Sequence, residues 1–172
     1  MSALIFALGC AGTPQAEPET PTNPAVDPVV EDAASPETVA SPEPDAAAEA
    51  VYRALSVRDP APSCESVEAL TETPVDTLLF VVDNAQQPPW AGMRAAECLT
   101  TRHAEAAEAS ITAWVSSSET KGLAILALNQ LDIMPLPVAL NVARAALAGP
   151  EADTARSRIA RSSVTEIKAL VE

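Results

Sequence analysis

Between Pro135 and Gly149-Pro150 the chain reads Val138-Ala139-Leu140-Asn141-Val142-Ala143-Arg144-Ala145-Ala146-Leu147. Pro135 and Pro137 suit the opening of a helix, because the first turn needs no proline N–H. Gly149-Pro150 is a helix-stop pair. What lies between is alanine and large aliphatic residues, so the spacing predicts a helix that neighbours can approach closely. Just before it, Gly122-Leu123-Ala124-Ile125-Leu126-Ala127-Leu128 is apolar on every side, which predicts a fully buried helix. Asn129, Gln130 and Asp132 cut this run far short of the roughly 18 residues needed to cross a bilayer.

The same alternation of helix and break extends outward. Asp45 caps a short helix through about Val57, and Asp59-Pro60-Ala61-Pro62 breaks it. Ser63 caps a second helix carrying Val67 and Leu70, and Thr73-Pro74 opens a third with Val75, Leu78, Leu79 and Val82 on one face. Pro88-Pro89 opens a helix with Trp90, Met93, Ala96 and Leu99, and another at about 105–117 carries Ile111, Trp114 and Val115. Ser118 is the expected cap of the helix that carries the Gly122–Leu128 run and continues through Leu131. Beyond Gly149-Pro150, a short helix at about 151–161 carries Ile159. Ser163-x-x-Glu166 has the spacing of a capping box for the last helix. The one β-favouring run, Leu79-Phe80-Val81-Val82, sits inside a helical pattern.

Alternate helices begin near 63, 89, 119 and 150, and those between them near 74, 104, 136 and 163. A step of about 30 residues in helix pairs is the mark of an α-solenoid. On Met93–Leu99, Gly122–Leu128 and Val138–Leu147 the chain resembles HEAT-like repeats of the short bacterial kind, over about 63–172. The resemblance implies an all-α fold, a short α-solenoid of antiparallel helix pairs. Such Ala/Leu-rich pairs also build non-repeating bundles, and that alternative stays open.

Composition separates this helical part, residues 45–172, from what precedes it. The whole chain has a formal charge of −14, which disfavours nucleic acid and anionic surfaces as partners. Residues 1–52 hold nine acids and no Lys or Arg, so residues 53–172 carry only −5. Eight of the 16 prolines fall within 14–44. Residues 11–44 have too little apolar surface to offset ordering, and the composition predicts a disordered, acidic, Pro-rich tether.

Residues 1–10 end in Ala7-Leu8-Gly9-Cys10 after a short apolar run. They resemble the end of a bacterial lipoprotein signal peptide with its lipobox, although no basic residue follows Met1 and Ala7 stands where leucine is usual. The resemblance implies lipidation of Cys10, membrane attachment through that lipid, and, with Ala11-Gly12 following, the outer membrane of a Gram-negative envelope.

The usual carriers of chemistry are sparse. His103 is the single histidine, expected at a helix end facing the dipole. There is no CxxC, HExxH, GxGxxG, Walker-type loop or GxSxG, so no cofactor or metal site is read from the sequence. The pairs Glu65/Glu68 and Glu105/Glu108 read as solvated helix faces. With Cys10 lipidated, Cys64 and Cys98 remain, either as two buried thiols or as a disulfide worth roughly 3–4 kcal/mol in the chain-entropy model. Arg158 and Arg161, three apart, form a candidate interaction face for an acidic peptide or the tether, or are simply solvated charges.

The sequence therefore leads to a lipid-anchored envelope protein that presents a non-catalytic repeat domain to a protein partner. Two other readings remain. Some bacterial HEAT-like proteins resemble bilin lyases, which would make this an enzyme or enzyme-accessory domain. The domain could also be a structural spacer.

Overall fold

The computed structural model describes residues 45–85 and 87–172, so the lipobox, Cys10 and the tether at 11–44 lie outside the described residues. Among those described are nine α-helices and no strand. They are α1 (Ala46–Ser56), α2 (Cys64–Glu68), α3 (Pro74–Asn84), α4 (Pro89–Arg102), α5 (Glu108–Ser116), α6 (Lys121–Asn129), α7 (Leu136–Ala148), α8 (Ala152–Ile159) and α9 (Thr165–Lys168). None is long and apolar enough to cross a membrane.

Local chemistry sets most of the helix starts. Asp45 accepts the Ala48 N–H at 2.7 Å and Ser63 accepts that of Ser66 at 3.2 Å, each satisfying a donor the first turn leaves open. Prolines occupy the first turns of α3, α4 and α7. The β-favouring run at 79–82 is helical within α3, where Val81 is buried.

Three local expectations give way. The fifth helix begins at Glu108 rather than near 105, because residues 104–107 form a turn after His103. Ser118 does not cap α6: Thr120 takes the N-cap position, and its hydroxyl donates to the Trp114 carbonyl at 2.7 Å. The Ser163/Glu166 box does not form either. The Ser163 N–H and hydroxyl both donate to Asp132, at 2.8 and 2.7 Å, and Val164 becomes the N-cap. The Ser163 N–H that a capping box would give to Glu166 is taken by Asp132, so the long-range contact replaces the local one.

Packing follows the chain order. Within each successive pair, α3 lies on α4, α5 on α6 and α7 on α8. Across pairs, α4 meets α6 and α6 meets α8, while α5 meets α7 and α7 meets α9. Helix α1 rests on both α3 and α4. One continuous core threads these contacts, built from Leu55, Leu78, Leu99, Ile111, Val142 and Ile159 with many alanines between them. Trp114, 5% exposed, is the one buried aromatic among the described residues, with Tyr52 packed against the core from its edge. Alanine brings helix axes close, so the core fills without many rings.

Two details show how close. At the end of α7, a Cβ on Gly149 would run into the Val115 carbonyl of α5, so only glycine lets the two backbones meet. Helix α6 is not buried all round, contrary to the expectation from its composition. Ala124, Ala127 and Leu128 are buried, whereas Leu123, Ile125 and Leu126 are half-buried. Its neighbours α4, α5, α7 and α8 cover its flanks and one side.

The carboxyl end of α1 is closed from a distance. The Arg94 guanidinium of α4 donates to the carbonyls of Leu55 and Arg58, each at 3.0 Å, and also to that of Val57. The Trp90 indole N–H reaches the Ser56 carbonyl at 3.2 Å. Four successive carbonyls at and just beyond the end of α1 thus find donors on one neighbouring helix.

Candidate functional site

The helix ends and connections of successive pairs carry most of the polar side-chain contacts. The first group joins α2 to α4. Cys64 opens α2, Cys98 lies in the buried side of α4, and the two form a disulfide with Cα atoms 5.4 Å apart. One turn further along both helices, Arg102 grips two glutamates. Its Nε and Nη2 donate to the two oxygens of Glu68 at 2.8 and 3.1 Å, and its Nη1 donates to Glu65 at 2.9 Å. His103 Nε2 lies 3.0 Å from the same Glu68 carboxylate.

Glu68 is therefore a hub, 16% exposed. Burial works against its charge, but the hydrogen bonds from Arg102 and His103 and the Arg102 charge outweigh that and hold its carboxyl below the usual range. The hydrogen bond to Glu68, opposed by partial desolvation and helped by the charges of Glu68 and Glu65, raises the Arg102 guanidinium. The spacing of Glu65 and Glu68 read as a solvated face. Instead the pair receives one arginine from 34 and 37 residues away.

A second group joins the α6–α7 connection to the α8–α9 connection. Asp132 accepts the Ser162 hydroxyl at 2.5 Å, along with the two bonds from Ser163. These three bonds, Ser162 first, lower its pKa against a smaller burial effect. Other links between pairs are Asn141 to Glu108 at 2.7 Å, from α7 to α5, and Lys121 to Glu151 at 2.9 Å, from α6 to α8.

Arg158 and Arg161 lie next to the Asp132 group but are used differently. Arg161 turns back onto α8, its Nε donating to the Ser157 carbonyl at 2.9 Å and its Nη2 facing the Ser157 hydroxyl at 3.3 Å. Arg158 is half-buried and makes no side-chain hydrogen bond or ion pair among the described residues. Both line an open recess of about 200 Å³ with Leu128, Asn129, Asp132 and Ser162.

A larger open groove, about 550 Å³, lies between the α4–α5 and α6–α7 connections. Thr101 to Ala106 form one wall, Ile133 to Pro135 the other, and Ile133 is 58% exposed. Glu105, read in sequence as half of a solvated pair with Glu108, lines this groove, while Glu108 is taken by Asn141. No three His, Cys, Asp or Glu residues among those described gather into a metal-binding group. The grouping of Ile133 with His103, and of Asp132 with Ser162, had no local sequence signal, since each joins positions about 30 residues apart.

No protein-family model, curated protein or solved structure matches the chain.

Proposed function

We propose that this is a lipid-anchored protein of the cell envelope, most consistent with an outer-membrane lipoprotein of a Gram-negative bacterium. Cys10 carries the lipid, residues 11–44 form the tether, and residues 45–172 form a HEAT-like solenoid that binds another protein without catalysing a reaction. The order of helix contacts is the observation that carries this reading. Each helix of α5 to α8 touches its pair mate and its counterpart in a neighbouring pair, the nearest-neighbour pattern of stacked repeats. The repeat step of about 30 residues in the sequence agrees with that stacking.

The polar groups support binding over catalysis by the positions they hold. His103 is engaged with Glu68, Glu65 and Glu68 with Arg102, and Glu108 with Asn141, so these groups tie helices together. The lipobox-like Ala7-Leu8-Gly9-Cys10 and the acidic segment behind it support the anchor.

The test is photo-crosslinking of the full chain in its native envelope, followed by fractionation. The expected result is a saturable protein adduct in the membrane fraction, with palmitate labelling that Cys10→Ala abolishes. Labelling that survives Cys10→Ala overturns the anchor. Absence of any saturable adduct overturns the interaction role in favour of a spacer.

A further inference from the structure

The two open recesses share the α6–α7 connection as a common wall. Ile133, Met134 and Pro135 line one, and Asp132 lines the other. The first offers exposed apolar surface at Ile133. The second offers two guanidinium groups above the buried Leu128.

Charge decides what the second recess suits. Asp132, its only acid, already accepts three hydrogen bonds from Ser162 and Ser163. Arg158 has no acidic partner among the described residues; Arg58, Arg94, Arg144 and Arg161 also lack one, but these reach the Trp90 ring, backbone carbonyls, Asn141 and Ser157, whereas Arg158 has no such contact there. Arg161 is held in place by Ser157, so its remaining N–H groups are preset. A partly buried, unpaired arginine beside a fixed one is the chemistry that receives a carboxylate. Asp132 in the recess works against a run of negative charge, and two guanidinium groups match a single carboxylate side chain. A recess of about 200 Å³ holds a side chain rather than a folded surface.

We propose that this edge of the domain docks an extended peptide segment of a partner protein, with a Glu or Asp side chain on Arg158 and Arg161 and a neighbouring apolar side chain against Ile133. The inference rests on the protein-binding role proposed above and gives that role a place and a ligand class. Arginine clusters commonly read acidic motifs in this way.

Two synthetic peptides test it against the isotope-labelled full chain by fluorescence anisotropy and amide chemical shifts. One alternates glutamate and leucine, and the other alternates glutamine and leucine. The expected result is saturable, salt-sensitive binding of the glutamate peptide, at least tenfold tighter than the glutamine peptide. Shifts should centre on Ile133, Arg158 and Ser162. Arg158→Gln with Arg161→Gln should cost at least tenfold, and Ile133→Ser several-fold, with unchanged helix content and melting. Equal binding of the two peptides, wild-type affinity in the arginine variant, shifts centred elsewhere, or no saturable binding overturns the proposal. If the peptides fail while crosslinking of the full chain still yields a saturable adduct, only the edge and its ligand class fall. If crosslinking fails as well, the interaction role falls too.

Discussion

The α2–α4 junction and the α6–α8 junction each join two helices separated by one other in the chain, yet they treat arginine in opposite ways. At the first, Arg102 meets two glutamates, a histidine sits on the same carboxylate, and a disulfide lies one turn away. At the second, Lys121 meets Glu151, but Arg158 meets no acid among the described residues. The first junction spends its charges on holding a five-residue helix that could not stand alone. The second joins eight- and nine-residue helices, and Arg158 makes no hydrogen bond or ion pair there among the described residues. Charge left over from folding is charge available for recognition.

Removing the disulfide should disturb the first junction most. Cys64→Ala with Cys98→Ala should lower stability by roughly 3–4 kcal/mol, read as a shift in the urea midpoint. A loss below about 1 kcal/mol would mean the ion pairs alone hold α2.

Gly149→Ala probes the other half of the molecule, where close approach replaces ionic links. Its Cβ would press on the Val115 carbonyl, so the variant should lose about 1–3 kcal/mol and melt earlier. Neutral behaviour would show that α7 can shift off α5 freely.

Glu68→Gln should cost about 1 kcal/mol at neutral pH, since Arg102 is 39% exposed and solvent screens the pair. The folded pKa of Glu68 lies below its unfolded value. Its contribution is therefore present above the unfolded pKa and is lost as pH falls through the folded one. Wild type and variant should converge in acid, as measured by denaturation at a series of pH values. A constant gap down to low pH would assign the loss to packing instead.

Arg158→Gln should change stability by less than about 0.5 kcal/mol in the same assay. A larger loss would place Arg158 with Arg102 as a structural arginine and erase the contrast between the junctions.

The sequence made the helices legible because their starts are local. Asp45, Ser63, Thr73-Pro74 and Pro88-Pro89 each act within one turn. It misled at Ser163, where the local box lost to Asp132, 31 residues away. It was silent on Arg94, whose role depends on α1 ending beside α4. The cysteines and the two C-terminal arginines stood out by type and count, but the groove at Ile133 did not, because an exposed isoleucine in a turn looks like any other loop residue. Local signals mark elements; which side chains share an edge depends on how those elements pack.

If the amino-terminal anchor proposed above holds, the disulfide has a mechanical consequence. Tension entering at Asp45 runs along α1 and passes to α4 through Arg94 and Trp90. If that clasp slips, the pull meets Cys64 and crosses directly to Cys98. The 33 residues between them, 65–97, are then shielded from extension. About 110 Å of chain is thereby removed from the length a force can draw out. The bridge sets a limit on how far the domain yields before its central helices feel the load.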